Sequence, residues 1–594
     1  MSAPISLRPP AVWLDPPSAP AGVAEMLEAA LQPTGERAGQ VAVPAAVCRL
    51  LAARGVRTVD EAKRFLRPAL EHVEAPCAMA DLGRAAERLA AAVRAGETIL
   101  VHGDYDVDGI CSTALMTRTL RAVGGTVVPF IPNRLTDGYD LGPAGVRAAL
   151  EHKARVVLTC DCGTTAHAAA EELATLGIDL IISDHHLPGG PLPRAYAVIN
   201  PKRSDCQSLD KDLAAVGVAY KLAMEVTRLL GGDEDVVRSQ LELVALATVA
   251  DVAPLRGENR VFVRLGLQSM ARPIVNGTDS ARGSNLGLRA LVRSARLDGK
   301  PLSAGRLSFT IAPRLNALGR LADALTGVDL LLAADEAAAN TIARQCEELN
   351  EKRQETDRRI LTEAMQRVAA MDMRNTHAIV LHGHDWHPGV IGIVASRVVE
   401  QTGRPTFMIA VDAHGIGKGS GRSIGRFDLH AALQACTDLL IRHGGHKAAA
   451  GLTIDAKRLP EFAERFNRIA AETLTEADFA PQLRTDIELP LDEATEQFER
   501  SLRHLEPFGV GNPGPVLVSR GVRVKGNPRR IGTDGLKVTL ESSGCSLSAI
   551  GWGLAPRAAE LADGAVLDIA YKLDVNEYRG ERTLQAVLQD FRHA

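Results

Sequence analysis

The chain of 594 residues has little of what usually settles a protein's class at a glance. Aromatic residues make up 4% of it, so a site built on stacked rings has few rings to draw on. Its nine cysteines, at positions 48, 77, 111, 160, 162, 206, 346, 436 and 545, form no CxxC pair and no regular spacing. That excludes a zinc knuckle and a disulfide framework, and fits a reducing compartment. No window reaches the ~18 uncharged apolar residues that a membrane helix needs. The opening stretch MSAPISLRPPAVWLDPPSAP has no apolar core behind a basic start and is not read as a secretory signal. Excess positive charge is missing too: 68 Lys+Arg against 72 Asp+Glu leave −4. The molecule as a whole offers no positive field to a polyanion, and any nucleic-acid binding must come from local patches. With 46% hydrophobic residues the chain is not disordered, and its length allows about three to five domains of ~100–200 residues. The expectation is a soluble cytoplasmic protein with no membrane association.

The first 40 or so residues, rich in proline and alanine, read as a loosely packed lead-in, followed by two short helices around the Arg54-Gly55 break. Short apolar runs at 98–101, 126–131, 155–159 and 179–182 then alternate with helical patterns, although no helix is read directly after the second. Buried strands separated by helices imply a mostly parallel α/β sheet. Dense mixed charge from 334 to about 373 reads as one long connecting helix. Residues 377–474 return to α/β character, with strands at 378–382 and 406–411, a helix near 392–401 and a glycine-rich loop. Beyond 482, alternation such as Leu536, Val538 and Leu540 against Lys537, Thr539 and Glu541 points to a small barrel. The expected domains are 1–75, 76–335, 336–373, 374–481 and 482–594.

The run at 98–101 leads into His102-Gly-Asp104-Tyr-Asp106-Val-Asp108-Gly109, four potential hard-metal ligands within seven residues. A calcium EF-hand loop starting at Asp104 would need a bidentate Glu at its twelfth position, which is Leu115, and a helix rather than a strand before it. Helix capping accounts for one aspartate only. Two later strands end alike, in Asp161 (TCDCGTT) and in Ser183-Asp184-His185-His186, and Asp251 follows an apolar run. In an open parallel sheet such strand ends share one crevice at a topological switch point. Carboxylates with one or two imidazoles select Mg²⁺ or Mn²⁺, and Cys160 and Cys162, beside Asp161, are expected to point elsewhere. Five to seven ligands exceed one octahedral ion with open positions, so two ions ~3.5–4 Å apart are expected, clamping a phosphoryl group for hydrolysis.

HGDYDVDG, TCDCGTT, SDHH and ATVADVAPL, in that order, resemble the four motifs of the DHH phosphoesterase superfamily. GGHKAAAG at 444–451 resembles the signature of its DHHA1 domain, and LLAARG, APRLNALGR, DWHPGVIGIVASR, KGSGRS and LEPFGVGNP are similar to the RecJ family of single-strand-specific 5′→3′ exonucleases. The resemblance spans about 45–590. It implies metal ligation by Asp106, Asp108, Asp161, His185 and Asp251, with Asp161 bridging two Mn²⁺ or Mg²⁺ ions. It further implies that His102 and Asp104 ligate or orient the first ion, and that Asp161 and His186 are catalytic, His186 contacting the scissile phosphate. Ser420, Arg422 and His446 would bind the nucleic-acid backbone or its 5′ end, with Arg314 and Asn316 as further phosphate contacts. Single-stranded DNA, a single-strand-binding protein and a helicase are the implied partners of a monomer active in recombination and repair.

Two patches supply the local charge. Residues 397–447 hold seven Lys/Arg against four acids, and 501–537 seven against two. Glycines in GIGKGSGRSIG (415–425) would let backbone N–H groups converge on an anion; the bland alternative is a flexible hairpin turn. Gly444-Gly445 is read as close phosphate approach or as a helix C-cap. Trp386 is read as a base-stacking ring or a buried one, and Arg320 as a phosphate contact or a partner of Asp323. The C-terminal barrel resembles an OB-fold, with Gly535 where the family pattern has a histidine, which puts one DNA contact in doubt. The fold expected is a parallel α/β domain, a long helix, a second α/β domain facing it across a cleft, and an OB-like barrel. Rival readings are a DHH phosphodiesterase of short oligonucleotides or cyclic dinucleotides, a pyrophosphatase, and a non-catalytic replication-fork scaffold.

Overall fold

The computed structural model describes residues 11–32, 43–134, 136–271, 285–578 and 581–594. Its contacts divide the chain into two units. One comprises 60–351 with 504–514, and the other the described parts of 1–59, 352–503 and 515–594. Much of the expected lead-in lies outside the described residues. What is described there is ordered: β1 (Val12–Leu14) pairs in parallel with residues 482–484, and a helix covers Val23–Leu31. The two short helices follow at Ala45–Ala53 and Val59–Leu66.

In the first unit, β2 (Thr98–Gly103), β3 (Thr126–Phe130), β4 (Val156–Cys160), β5 (Asp179–Ser183) and β6 (Ala197–Ile199) form a wholly parallel sheet in the order β3-β2-β4-β5-β6. Alternation along the strands explains why both faces are apolar. Ile99, Val101, Val156, Leu158 and Ile181 pack on the side of helices Leu82–Ala95, Val107–Ala122 and Ala215–Leu230. Leu100, Val157, Leu180 and Ile182 pack on the side of helices Pro143–Glu151 and His167–Thr175. The helix Pro143–Glu151 follows β3, where none was read from the sequence, because an irregular stretch separates strand from helix and Pro143 opens the first turn. The chain leaves β2 for β3 on one side and returns to β4 on the other, which places a topological switch point between the carboxyl ends of β2 and β4.

One helix runs from Glu336 to Ala369 and carries the chain from the first unit into the second. There β7 (Ile379–Gly383), β8 (Thr406–Val411), β9 (Ile416–Arg422), β10 (Leu440–Gly445) and β11 (Ala449–Asp455) make a mixed sheet in the order β10-β11-β9-β8-β7. The expected glycine-rich loop is therefore strand β9. A Cβ at Gly417, Gly419 or Gly421 would come within 2.8 Å of Ile409, 2.8 Å of Leu452 and 2.5 Å of Phe407, so neighbouring large side chains occupy the space that side chains of β9 would need. Phe407, Phe427, Phe462 and Phe466 form an aromatic centre beneath. Gly444-Gly445 ends β10 in a hairpin and is no helix cap.

After β12 (Gln482–Arg484), the strand that pairs with β1, and β13 (Ile487–Glu488), the strands β14 (Leu517–Ile531), β15 (Gly535–Ser542), β16 (Cys545–Gly551), β17 (Val566–Tyr578) and β18 (Glu581–His593) close a five-stranded barrel through the β14–β17 pairing. Residues 504–514, between β13 and β14, belong to the first unit. The nearly buried Arg260 guanidinium donates to the carbonyls of Phe65 (3.0 Å), Leu505 (3.0 Å) and Glu506 (2.9 Å), and Leu255 N–H donates to Val510 O (2.7 Å).

Candidate metal centre

At the switch point the ends of β2, β4 and β5 deliver their polar residues together. Asp104, Asp106 and Asp161 offer ligand atoms within 4.8 Å of one another, and so do Asp108, His185 and Asp251. A third such set, Asp161, His185 and His186, joins the other two. His185 Nε2 lies 3.3 Å from Asp161 Oδ1 and 3.7 Å from Asp251 Oδ2. Asp161 has φ 67° and Val252, next to Asp251, has φ 62°, a region that non-glycine residues seldom adopt and that marks stored strain at a site.

Three of the candidate ligands, Asp106, Asp108 and His185, are held by identifiable neighbours. Asp106 caps the helix Val107–Ala122, its Oδ1 accepting from the N–H groups of Asp108 (2.9 Å) and Gly109 (3.1 Å). The Asp108 carboxylate accepts from Ala215 N–H (2.8 Å) and Val216 N–H (2.9 Å) at the start of the helix Ala215–Leu230. His185 Nδ1 is 3.0 Å from Leu213 O; a carbonyl only accepts, so Nδ1 carries the proton and Nε2 presents its lone pair to the carboxylates. Asp184 belongs to none of the three candidate ligand sets. It accepts from Thr164 N–H (2.9 Å) and from the N–H groups of His185 (2.7 Å) and His186 (3.1 Å), and it holds His186 Nδ1 at 2.8 Å.

The electrostatics describe a site built for cations. Burial and the charges of Asp106, Asp108, Asp104 and Asp251 push the Asp161 carboxyl well above its ordinary range, and burial with Asp106 does the same to Asp104. Asp108 is raised to about 7 by burial and Asp251, and Asp251 to about 7 by burial and Asp106. Oδ1 of Asp104 and of Asp161 are buried without a hydrogen-bond partner. An unpartnered buried carboxylate is costly, and a divalent ion is what this donor set fits. His186 behaves oppositely: burial disfavours its charge, yet the Asp184 hydrogen bond and charge, with Asp251 and Asp104, raise it to about 9. Its Nε2 lies 3.3 Å from the hydroxyl of Tyr139.

The other residues singled out from the sequence divide. His102 stands outside the three ligand sets: it is fully buried beside Phe130, its Nδ1 faces Cys162 Sγ at 3.5 Å, and burial lowers it to about 4. Cys160 and Cys162 are buried, and burial raises both thiols, so neither offers a thiolate. Arg314 is committed to Glu347 through Nε (2.6 Å) and Nη2 (2.9 Å), and Asn316 is half-buried on the same helix, Ala312–Leu321. Ser420 and Arg422 lie on β9, with Arg422 Nη1 donating to Ser420 Oγ (3.2 Å). Exposed His446 bonds Ala449, the register partner of Arg422, which brings His446 to the same end of the sheet. Trp386 is buried, its indole N–H donating to Glu363 (2.9 Å), and no base can stack on it. Sequence reasoning missed Tyr139, Thr164 and Asn200, whose Nδ2 donates to His186 O (2.8 Å) and Thr164 Oγ1 (3.0 Å). All three come from loops with no metal-ligand spacing to flag them.

The models of three domains match the chain: the DHH family N-terminal domain over 98–248, the DHHA1 domain over 375–472 and the RecJ OB domain over 485–590. The single-stranded-DNA-specific exonuclease RecJ of Dickeya dadantii is 36% identical over 577 residues, covering 94% of this chain and 98% of that protein. The exonuclease of the same name from Bacillus subtilis is 35% identical over 555 residues, covering 93% and 68%. The crystal structure of RecJ in complex with Mn²⁺ from Thermus thermophilus superposes with a TM-score of 0.81 at 32% identity, covering 98% of this chain and 80% of that one.

Proposed function

Because the chain belongs to the RecJ family of single-stranded-DNA-specific exonucleases, we propose that it is a metal-dependent exonuclease that removes 5′ mononucleotides from single-stranded DNA. The observation that carries the reading is the pair of three-ligand sets joined through Asp161 and His185. Asp104, Asp106 and Asp161 would hold one Mn²⁺ or Mg²⁺ ion, and Asp108, His185 and Asp251 a second, with Asp161 between them. When bound, such ions lower the pKa of a coordinated water and neutralise charge on the phosphodiester. The protein's own part is orientation and proton placement. Asp184 keeps His186 protonated at neutral pH, so its imidazolium can meet the scissile phosphate and stabilise its developing charge. Leu213 O fixes the His185 tautomer that would leave Nε2 free to hold an ion.

The bidentate pairing of Arg314 with Glu347 favours a structural role for it, whereas Ser420, Arg422 and His446, at one end of the second sheet, remain the proposed contacts to the DNA backbone. The barrel favours long strands over the rival substrates, since pyrophosphate or a dinucleotide would give it nothing to hold. A single-strand-binding protein and a helicase would supply the strand. The test is incubation with Mn²⁺ and long single strands labelled at either end, beside duplex, dinucleotide and pyrophosphate. The expected result is mononucleotide release from the 5′ end; release from the 3′ end, or from none of the long strands, refutes it.

A further inference from the structure

The outer face of β14, β15 and β16 carries an exposed ring with no place in the reading above. Leu536, Val538 and Leu540 fill the barrel, so the alternating residues of β15 point outward. Register then puts Ile531 opposite Gly535 and Arg529 opposite Lys537, and Ile550 of β16 on the other side of Lys537. One residue past β16, Trp552 lies over Gly535 and is 58% exposed. A Cβ at Gly535 would fall 2.8 Å from the indole, so the missing side chain is what lets the ring come this close to the strand. Gly535 is also the position where a histidine was expected; the ring occupies the space in its stead.

Cations share that outward face of the sheet. Lys537 is two residues along the strand, roughly 7 Å away, and Arg529 is beside it across the ladder. Both are exposed, and neither has an ion-pair partner among the described residues. Further along, Lys525 is paired with Glu541, while Asp534 lies in the β14–β15 turn. An exposed indole with unpaired cations on the same face of the sheet is the composition that holds single strands without reading sequence.

We propose that Trp552 is a stacking platform for a base of single-stranded DNA, with Arg529 and Lys537 holding the adjoining phosphates. It rests on the exonuclease reading and adds a strand-holding site on the barrel. Of the other two tryptophans Trp13 is half-buried and Trp386 buried, so loss of the fluorescence change in Trp552→Leu assigns the signal to Trp552.

The test is titration of the full-length protein with oligo(dT) in EDTA, which stops hydrolysis, following tryptophan fluorescence and affinity. Quenching is expected in the natural protein, with affinity nearly kept in Trp552→Phe and weakened about tenfold in Trp552→Leu. Leucine still covers Gly535, so an unchanged thermal midpoint separates lost stacking from lost fold. The slope of affinity against salt should stay the same in Trp552→Leu and fall in Arg529→Ala and Lys537→Ala. Unchanged fluorescence or unchanged affinity in Trp552→Leu, in a protein that still degrades single strands with Mn²⁺, overturns the platform alone. A natural protein that neither binds nor degrades them overturns the exonuclease reading and the platform with it.

Discussion

Asp161 belongs to two of the three ligand sets and adopts a left-handed backbone, so its position is imposed by the fold around it. Asp161→Ala should lower exonuclease turnover by roughly 10³-fold or more, because both proposed ions lose a ligand. The same substitution removes a buried carboxylate crowded by four others, so the metal-free variant should melt no lower than the metal-free natural protein. A melt in EDTA checks that. The neighbouring carboxylates set a pH dependence. Asp108 and Asp251 are raised from near 3.8 to about 7, so between those values the folded metal-free protein binds protons that the unfolded chain has released. Its stability is therefore fullest below pH 4 as far as these groups are concerned, falls as pH rises to about 7, and is flat above. A metal ion displaces those protons, so the rise in melting temperature on adding Mn²⁺ should be larger at pH 8 than at pH 5.5. The clustering of these carboxylates was legible in the sequence because each acidic run follows a buried apolar run, and the strand ends of one parallel sheet meet at its switch point. Tyr139 and Asn200 were not, since what they touch is far away in the chain.

At the scale of elements, the parallel sheet and the long helix were legible because buried strands and mixed-charge helices have distinct periods. Strand β9 was misread as a phosphate-cradling loop because glycine is a turn signal in isolation, and only the rings and branched chains of β8 and β11 show why it is needed in a ladder. A ladder already engages those backbone groups, so anion binding there falls to side chains such as Arg422. The crowding gives a direct test. Gly421→Val would drive a side chain into the Phe407 ring, 2.5 Å from the position of its Cβ, and should destabilise the second unit by roughly 1–3 kcal/mol in a denaturant melt. Activity on single strands should fall with the same midpoint.

For the whole molecule, the balance of −4 is a sum over unlike regions. Carboxylates gather at the switch point, where two divalent ions would add +4, while the barrel face around Trp552 holds unpaired cations. The sequence showed those separate patches but not how the chain is threaded. Motifs are read in order, and a contact made by carbonyl oxygens leaves no residue signature, so the attachment of 504–514 to the first unit was invisible. A chain ended after residue 481 strips Arg260 of its acceptors at Leu505 and Glu506 and exchanges them for water. It should be less stable than a chain ended after residue 514 by about 1–3 kcal/mol in a denaturant melt, the scale of lost hydrogen bonds to a charged group. In polymer terms, residues 352–503 are an excursion that starts and finishes on one body. A single nick within it yields two fragments, each still rooted in the first unit, so the halves stay at high effective concentration and leave no loose domain to diffuse away.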